Sequence, residues 1–283
     1  MKPLIAIVGP TSSGKTSFSI SLAKSLKKSG IIAEIVSADS RQVYKGLNLL
    51  SGKVTKKEMA GIPHHMLDIV NPKRVYSVAE FKKDAEKAID AILARGHLPI
   101  LVGGTGFYID AVTKGVILPE VKANPRLRKS LSRLSVDKLF AKLQNIEPSR
   151  AQDIDKHNSV GLIREIEIAT TLGKVPSIKK KPKYKVLTIG LDLDDVVLKK
   201  NIKTRLVSRV KAGMLNEAKK LHDAGLNYKR MEELGLECRY ASLYLQKNIT
   251  KEQLLSELEM AIWHYAKRQR TWFNRDKEII KVI

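Results

Sequence analysis

The chain of 283 residues contains a single cysteine, Cys238, which excludes an internal disulfide and any zinc site built on several cysteines. It has no apolar run approaching the roughly 18 residues a membrane-spanning helix needs, so no segment is expected to cross a membrane. The opening MKPLIAIVGP meets turn residues too early for a secretory signal, and a cytoplasmic location is the expectation. Internal repeats and Gly/Ser linkers are also missing. Acidic residues are few, 29 against 52 Lys plus Arg, leaving a net charge of +23. Self-repulsion at that charge opposes compaction, so a polyanionic partner, nucleic acid above all, is the natural reading. A plain preference for lysine is the other. What is present, 43% hydrophobic and 29% charged residues, is the composition of a soluble globular chain long enough to bury a sizeable core.

The apolar pattern predicts an α/β protein. Leu4–Val8 reads as a buried parallel strand, Lys15–Lys28 as a helix stopped by Gly30, and Ile31–Val36 as a second strand. Residues 77–95 read as a helix capped by Ser77 and stopped by Gly96, and Leu98–Val102 as a buried strand closed by Gly103 and Gly104. From Val116 to Lys183 no strand is expected, with helical patterns over 124–145 and 158–172. A strand-like run Val186–Leu191, helical patterns over 194–223, 229–245 and 250–273, and a β-like tail Ile279–Ile283 follow. The resulting fold class is a P-loop-type parallel sheet flanked by helices. Residues 1–115 and 184–283 form the core, and a mainly helical insertion spans 116–183.

Gly9-Pro10-Thr11-Ser12-Ser13-Gly14-Lys15-Thr16 matches the phosphate-loop pattern G-x-x-x-x-G-K-[ST] between a strand and a helix. Its glycines let successive backbone N–H groups and the helix N-terminus converge on one anionic group. Lys15 supplies a positive charge and the Thr16 hydroxyl a ligand for Mg²⁺, so a di- or triphosphate is expected here. The loop does not specify what becomes of the phosphate. The second strand leads into Asp39, beside the loop, where a substrate-side base belongs in a transferase. A small-molecule kinase of the same phosphate-loop class is the alternative reading, and a non-catalytic RNA-binding protein a third.

Further motifs narrow this. Asp39-Ser40-Arg41-Gln42-Val43-Tyr44-Lys45, Pro63-His64-His65, Val102-Gly103-Gly104-Thr105-Gly106-Phe107-Tyr108 and Ala266-Lys267-Arg268-Gln269-Arg270-Thr271-Trp272-Phe273 occur in this order. With the phosphate loop, this set resembles the tRNA dimethylallyltransferases over residues 4 to about 275. The resemblance implies that residues 9–16 hold the diphosphate of dimethylallyl diphosphate rather than a nucleotide. It also implies transfer of the prenyl group to the exocyclic amine of an adenine beside the anticodon, at tRNA position 37.

The chemistry suits the residues. An allylic diphosphate ionises once its leaving group is neutralised, as Lys15, Mg²⁺ and the loop amides would do. A carboxylate must then take the amine proton, and Asp39 fits that role, with a turn cap as its plainer reading. Gln42 carries the donor and acceptor that an adenine edge needs. By resemblance, Thr105 faces the substrates, Arg239 reaches the diphosphate, and Ser40, Arg41, Arg128, Arg164, Lys267 and Arg268 contact tRNA. A helix cap is the plainer reading for Thr105, and a solvated side chain for each cation. The anticodon stem-loop and dimethylallyl diphosphate are thus the expected partners of a monomer. His64 and His65 have no third ligand at suitable spacing and read as structural. Trp263, Tyr265, Trp272 and Phe273 read as core or as base-stacking platforms. The chain departs from the family pattern at Gly161, at Glu237-Cys238 and at Ile262-Trp263.

Overall fold

The computed structural model describes residues 1–177 and 179–282, with Asp153 described by its backbone alone. Ile283, the end of the expected tail, and Ile178, in the stretch expected to lack strands, lie outside the described residues. Packing separates two compact units, Met1–Gly115 with Pro182–Ile283, and Val116–Lys181.

The first unit opens with β1 (Lys2–Val8), α1 (Lys15–Lys28) and β2 (Ala33–Ser37). Ile31 and Ile32, expected in the second strand, precede it and are 43% and 48% exposed. The reason is local. Gly30 N–H bonds Lys27 O and Ile31 N–H bonds Leu26 O, so the chain is still closing the helix through a left-handed glycine (φ +81°). Then come α2 (Lys56–Met59), β3 (His64–His65), α3 (Val78–Ala94), β4 (Leu98–Gly103) and α4 (Gly106–Thr113). Ser77 caps α3 reciprocally with Glu80, as its S-x-x-E spacing dictates.

The second unit holds α5 (Pro125–Leu131), α6 (Val136–Ile146), α7 (Pro148–Asp153) and α8 (Ser159–Leu172). Residues 124–145, expected as one helix, are two, because Ser135 turns extended and caps a new start. Leu131, Leu139, Leu143, Leu162 and Ile166 form this unit's own core. Its only β pairing among the described residues is a bridge between Val116 and Lys180.

The first unit resumes with β5 (Tyr184–Leu191), α9 (Asp195–Lys211), α10 (Met214–Asp223), α11 (Tyr228–Glu233), α12 (Leu236–Leu245), α13 (Lys251–Phe273) and β6 (Ile280–Val282). The patterns over 194–223 and 229–245 each break once, at Gly213 (φ +102°) and Gly235 (φ +133°). Among the described residues no helix is long and apolar enough to cross a membrane.

The strands form one six-stranded parallel sheet in the order β3-β2-β4-β1-β5-β6. Successive residues face opposite layers, Ile35 toward the α1 side and Val36 toward the larger helical layer. Helices therefore cover both faces, the arrangement a fully buried parallel sheet requires.

Candidate active site

Parallel register places Val8 beside Gly103 and Ser37 beside Val102, so the segments leaving β1, β2 and β4 emerge at one edge. The strand order reverses about β1, which has β4 on one side and β5 on the other. Such a switch point opens a crevice beyond the strand ends. Gly103 makes it tight, since a Cβ there would lie 2.1 Å from Ala38 O.

The loop of residues 9–16 wraps at this crevice. Ser12 and Gly14 are left-handed (φ +63° and +89°), and Gly14 caps α1 without a side-chain bond. The first N–H groups of α1 are thus available to an anion, and no acidic residue stands in its first turn. The Ser13 hydroxyl is buried without a partner, an orphan that an incoming oxyanion would satisfy. Lys15 Nζ donates to Pro10 O at 2.5 Å. Desolvation of its ammonium lowers the Lys15 pKa to about 7, the Arg205 guanidinium pushes the same way, and Asp39 opposes. Thr16 is exposed in the first turn of α1, while the Thr11 N–H is turned to Gln269 Oε1 at 2.8 Å.

Asp39 Oδ1 accepts the Arg41 N–H at 2.8 Å and the Gln42 N–H at 3.3 Å. It does act as a turn cap, and the turn aims the carboxylate at the same crevice as Lys15, whose charge it feels. Thr105 starts α4 without capping it. Its Oγ1 accepts the Ser40 N–H at 3.2 Å and bonds Ser40 Oγ at 3.4 Å. Ser37 Oγ donates to Gln42 Oε1 at 3.4 Å. The ends of β2 and β4 are thereby laced together beside the loop.

The sequence reading misses Arg205 at this site and gives Tyr265 only as core or a base-stacking platform. Arg205, on α9, donates to Gly52 O at 2.9 Å, and it lies close enough to depress Lys15 while itself feeling Asp39. Tyr265, on α13, lies beside Thr105. Desolvation, with the Asp39 charge behind it, pushes its phenol up to about 12. An i, i+4 spacing to Arg209 marks Arg205 as sharing a helix face, but in a chain with 52 Lys plus Arg that signal does not stand out.

A family model described as IPP transferase matches residues 42–276, more than half of the chain. The chain belongs to the IPP transferase family. Tyr44, Gln269 and Trp272 all fall within that match. Among curated relatives, tRNA dimethylallyltransferase 1 of Syntrophus aciditrophicus (strain SB) is 39% identical over 289 aligned residues, covering 100% of this chain and 93% of the relative. Among solved structures, the full-length tRNA isopentenylpyrophosphate transferase from Bacillus halodurans superposes with a TM-score of 0.74 at 36% identity, covering 100% of this chain and 90% of that one. A eukaryotic dimethylallyltransferase, solved acting on tRNA, shares the fold with a TM-score of 0.82 at 24% identity, covering 100% of this chain and 74% of that one.

The remaining sequence-derived residues of this IPP transferase family member lie apart from the crevice groups or in other company. Arg239 is exposed on α12. Lys267 and Arg268 are exposed on α13, over the rings of Trp263 and Tyr265 at 5.6 and 5.8 Å. Arg41 donates to Glu233 O at 3.3 Å. In the second unit, Arg128 and Arg164 both bond Glu167, whose side chain is fully buried. Burial alone would raise that carboxyl. The bonds from Arg128, the Asn124 N–H and Arg164 outweigh it and hold the pKa at about 2.

His65 bonds Glu34 Oε2 at 2.6 Å, and His64 Nδ1 bonds Ile62 O at 2.8 Å. No cluster of described residues could hold a metal through His, Cys, Asp and Glu. Trp272 donates to Asp110, Phe273 is core, and Cys238 is buried with its thiol pushed up to about 12, chiefly by that burial.

Proposed function

We propose that the chain transfers a dimethylallyl group from dimethylallyl diphosphate to the exocyclic amine of adenine 37 of tRNA, releasing diphosphate. The observation that carries this reading is the meeting, at one sheet edge, of a diphosphate loop with Lys15 and a carboxylate, Asp39, across from it.

The loop amides, the Ser13 hydroxyl and Lys15 take the diphosphate, with Arg205 adding a second cation. As the donor C–O bond breaks, its electron pair leaves with the diphosphate. The adenine nitrogen bonds the freed allylic carbon, and the nitrogen's proton passes to Asp39. The Oδ1 bonds to the Arg41 and Gln42 amides hold the carboxylate in orientation while Oδ2 faces the amine. Thr105 and Gln42 flank that amine, and Tyr265, its phenol kept neutral, braces Thr105. The donor set fits a hard cation, with the Thr16 hydroxyl, diphosphate oxygens and water as its ligands. When bound, Mg²⁺ supplies further neutralisation of the leaving group.

The anticodon stem-loop is the acceptor. Exposed Lys267 and Arg268 and the helical unit of residues 116–181 offer it basic surface, and the protein acts as a cytoplasmic monomer. The kinase reading accounts for the loop and Asp39 but leaves the +23 charge without a use. Incubation with labelled dimethylallyl diphosphate, Mg²⁺ and total tRNA, followed by nucleoside digestion, tests the proposal. Label on adenine 37 supports it, and unlabelled tRNA overturns it.

A further inference from the structure

Gln269 has no part in the chemistry above, yet it is 6% exposed on α13, between the core residues Ala266 and Phe273. Both ends of its amide are used. Oε1 accepts the Thr11 N–H at 2.8 Å, and Nε2 donates to Gly104 O at 2.8 Å. These partners lie on separate loops, one following β1 and the other following β4. A Cβ on Gly104 would stand 2.3 Å from Gln269 Nε2, so a side chain there would displace that amide. One helical turn earlier on the same face, Tyr265 lies beside Thr105, the residue after Gly104.

We infer that Gln269 is a positioning residue that fixes the spacing between the diphosphate loop and the Thr105 loop, and with it the distance between the prenyl donor and the acceptor amine. The inference rests on the prenyl-transfer reading. It assigns the Thr11 amide to loop geometry, as the Ser13 N–H is by its bond to Pro10 O, and leaves the amides at the start of α1 to the diphosphate. The site demands a primary amide because one neighbour is an N–H and the other a carbonyl, the Gly104 bond buried and the Thr11 bond half-buried. An ionised glutamate would satisfy Thr11 and set an anion against Gly104 O. A protonated one, with an O–H donor and a C=O acceptor, restores both bonds. Methionine fills the volume and satisfies neither.

The test compares wild type, Gln269→Glu and Gln269→Met for unfolding midpoint, tRNA affinity and single-turnover prenyl transfer between pH 6 and 8. Both variants are expected to bind tRNA within about twofold of wild type. Each is expected to lose on the order of 10²-fold in transfer at pH 8, the cost of an ångström-scale misplacement. On lowering the pH to 6, the Gln269→Glu to wild-type rate ratio should climb by about tenfold, while the Gln269→Met ratio stays flat. Taking ratios removes the titration of Lys15, which all three proteins share. Wild-type transfer rates in the variants overturn the inference, and so does a Gln269→Glu ratio that ignores pH. If Gln269→Met fails to fold, the glutamate ratio alone decides. A wild type that leaves tRNA unmodified fails the prenyl-transfer reading itself, a result distinguishable from these.

Discussion

At the scale of single residues, Lys15 and Asp39 combine roles that one substitution can separate. Asp39→Asn keeps an oxygen for the Arg41 and Gln42 amides but cannot take a proton. It should fold and bind tRNA as wild type while single-turnover prenyl transfer falls about 10²–10⁴-fold. Transfer within threefold of wild type would remove Asp39 as the base. Lys15 carries a pH signature. With its pKa lowered to about 7, mainly by desolvation, the free protein holds it increasingly neutral as pH rises past that value. A bound diphosphate favours the charged form, so binding at pH 8 must recruit close to one proton, and affinity should fall about tenfold per pH unit above 7. Calorimetry in two buffers of different ionisation enthalpy measures that proton, and no uptake would mean an ammonium already charged. Both residues were legible because local motifs placed them. Arg205 and Gln269 were not, since their partners lie about 150 residues or more away and nothing in the sequence pairs a helix face with a loop.

At the scale of elements, the long strands and the Ser77-capped start of α3 were readable, whereas the two-residue β3, the capped starts of α2 and α6, and the breaks within helical stretches were not. Apolar periodicity continues through Gly213 and Gly235 because the helices on either side bury faces toward the same core, so only the left-handed glycines reveal the bends. The helical unit shows a different limit. Arg128 and Arg164, read as tRNA contacts, both bond Glu167, and although Arg164 stands i, i+3 from it, no spacing announces the partner of Arg128, 39 residues away. Removing the carboxylate leaves two half-exposed cations without their buried partner, so Glu167→Ala should destabilise the unit of residues 116–181 by about 1–3 kcal/mol. Hydrogen exchange in that unit measures the loss, and unchanged protection would free both arginines for RNA. The pH dependence has a definite sign. Because the folded pKa is depressed to about 2, the stabilisation is full above the unfolded value near 4.3 and disappears as pH falls between them. Glu34 repeats the pattern. Burial raises its carboxyl, and bonds from His97, Arg95 and His65 hold it at about 2, so the β2–β3 edge should loosen over the same acid range.

At the scale of the whole molecule, charge outlasts every local account. Among the described residues, ion pairs engage many of the acidic groups, several pairs sharing one carboxylate, and the balance of +23 remains for solution or a partner. Composition stated that excess plainly. The order of the strands about β1 was not stated, because no residue pattern tells a crossover to which side of a strand it must return. If the excess serves RNA, binding to an anticodon stem-loop should release counterions in proportion to the phosphates neutralised. For six or more contacts, affinity should drop on the order of 10³-fold between 50 and 200 mM salt. Dimethylallyl diphosphate, held by few cations in a desolvated loop, should lose far less over that range, which provides an internal control. Fluorescence anisotropy across a salt series gives both slopes from one preparation. Parallel slopes would show salt acting on the fold rather than on RNA, and a shallow RNA slope would assign the surplus of lysine to something other than the acceptor.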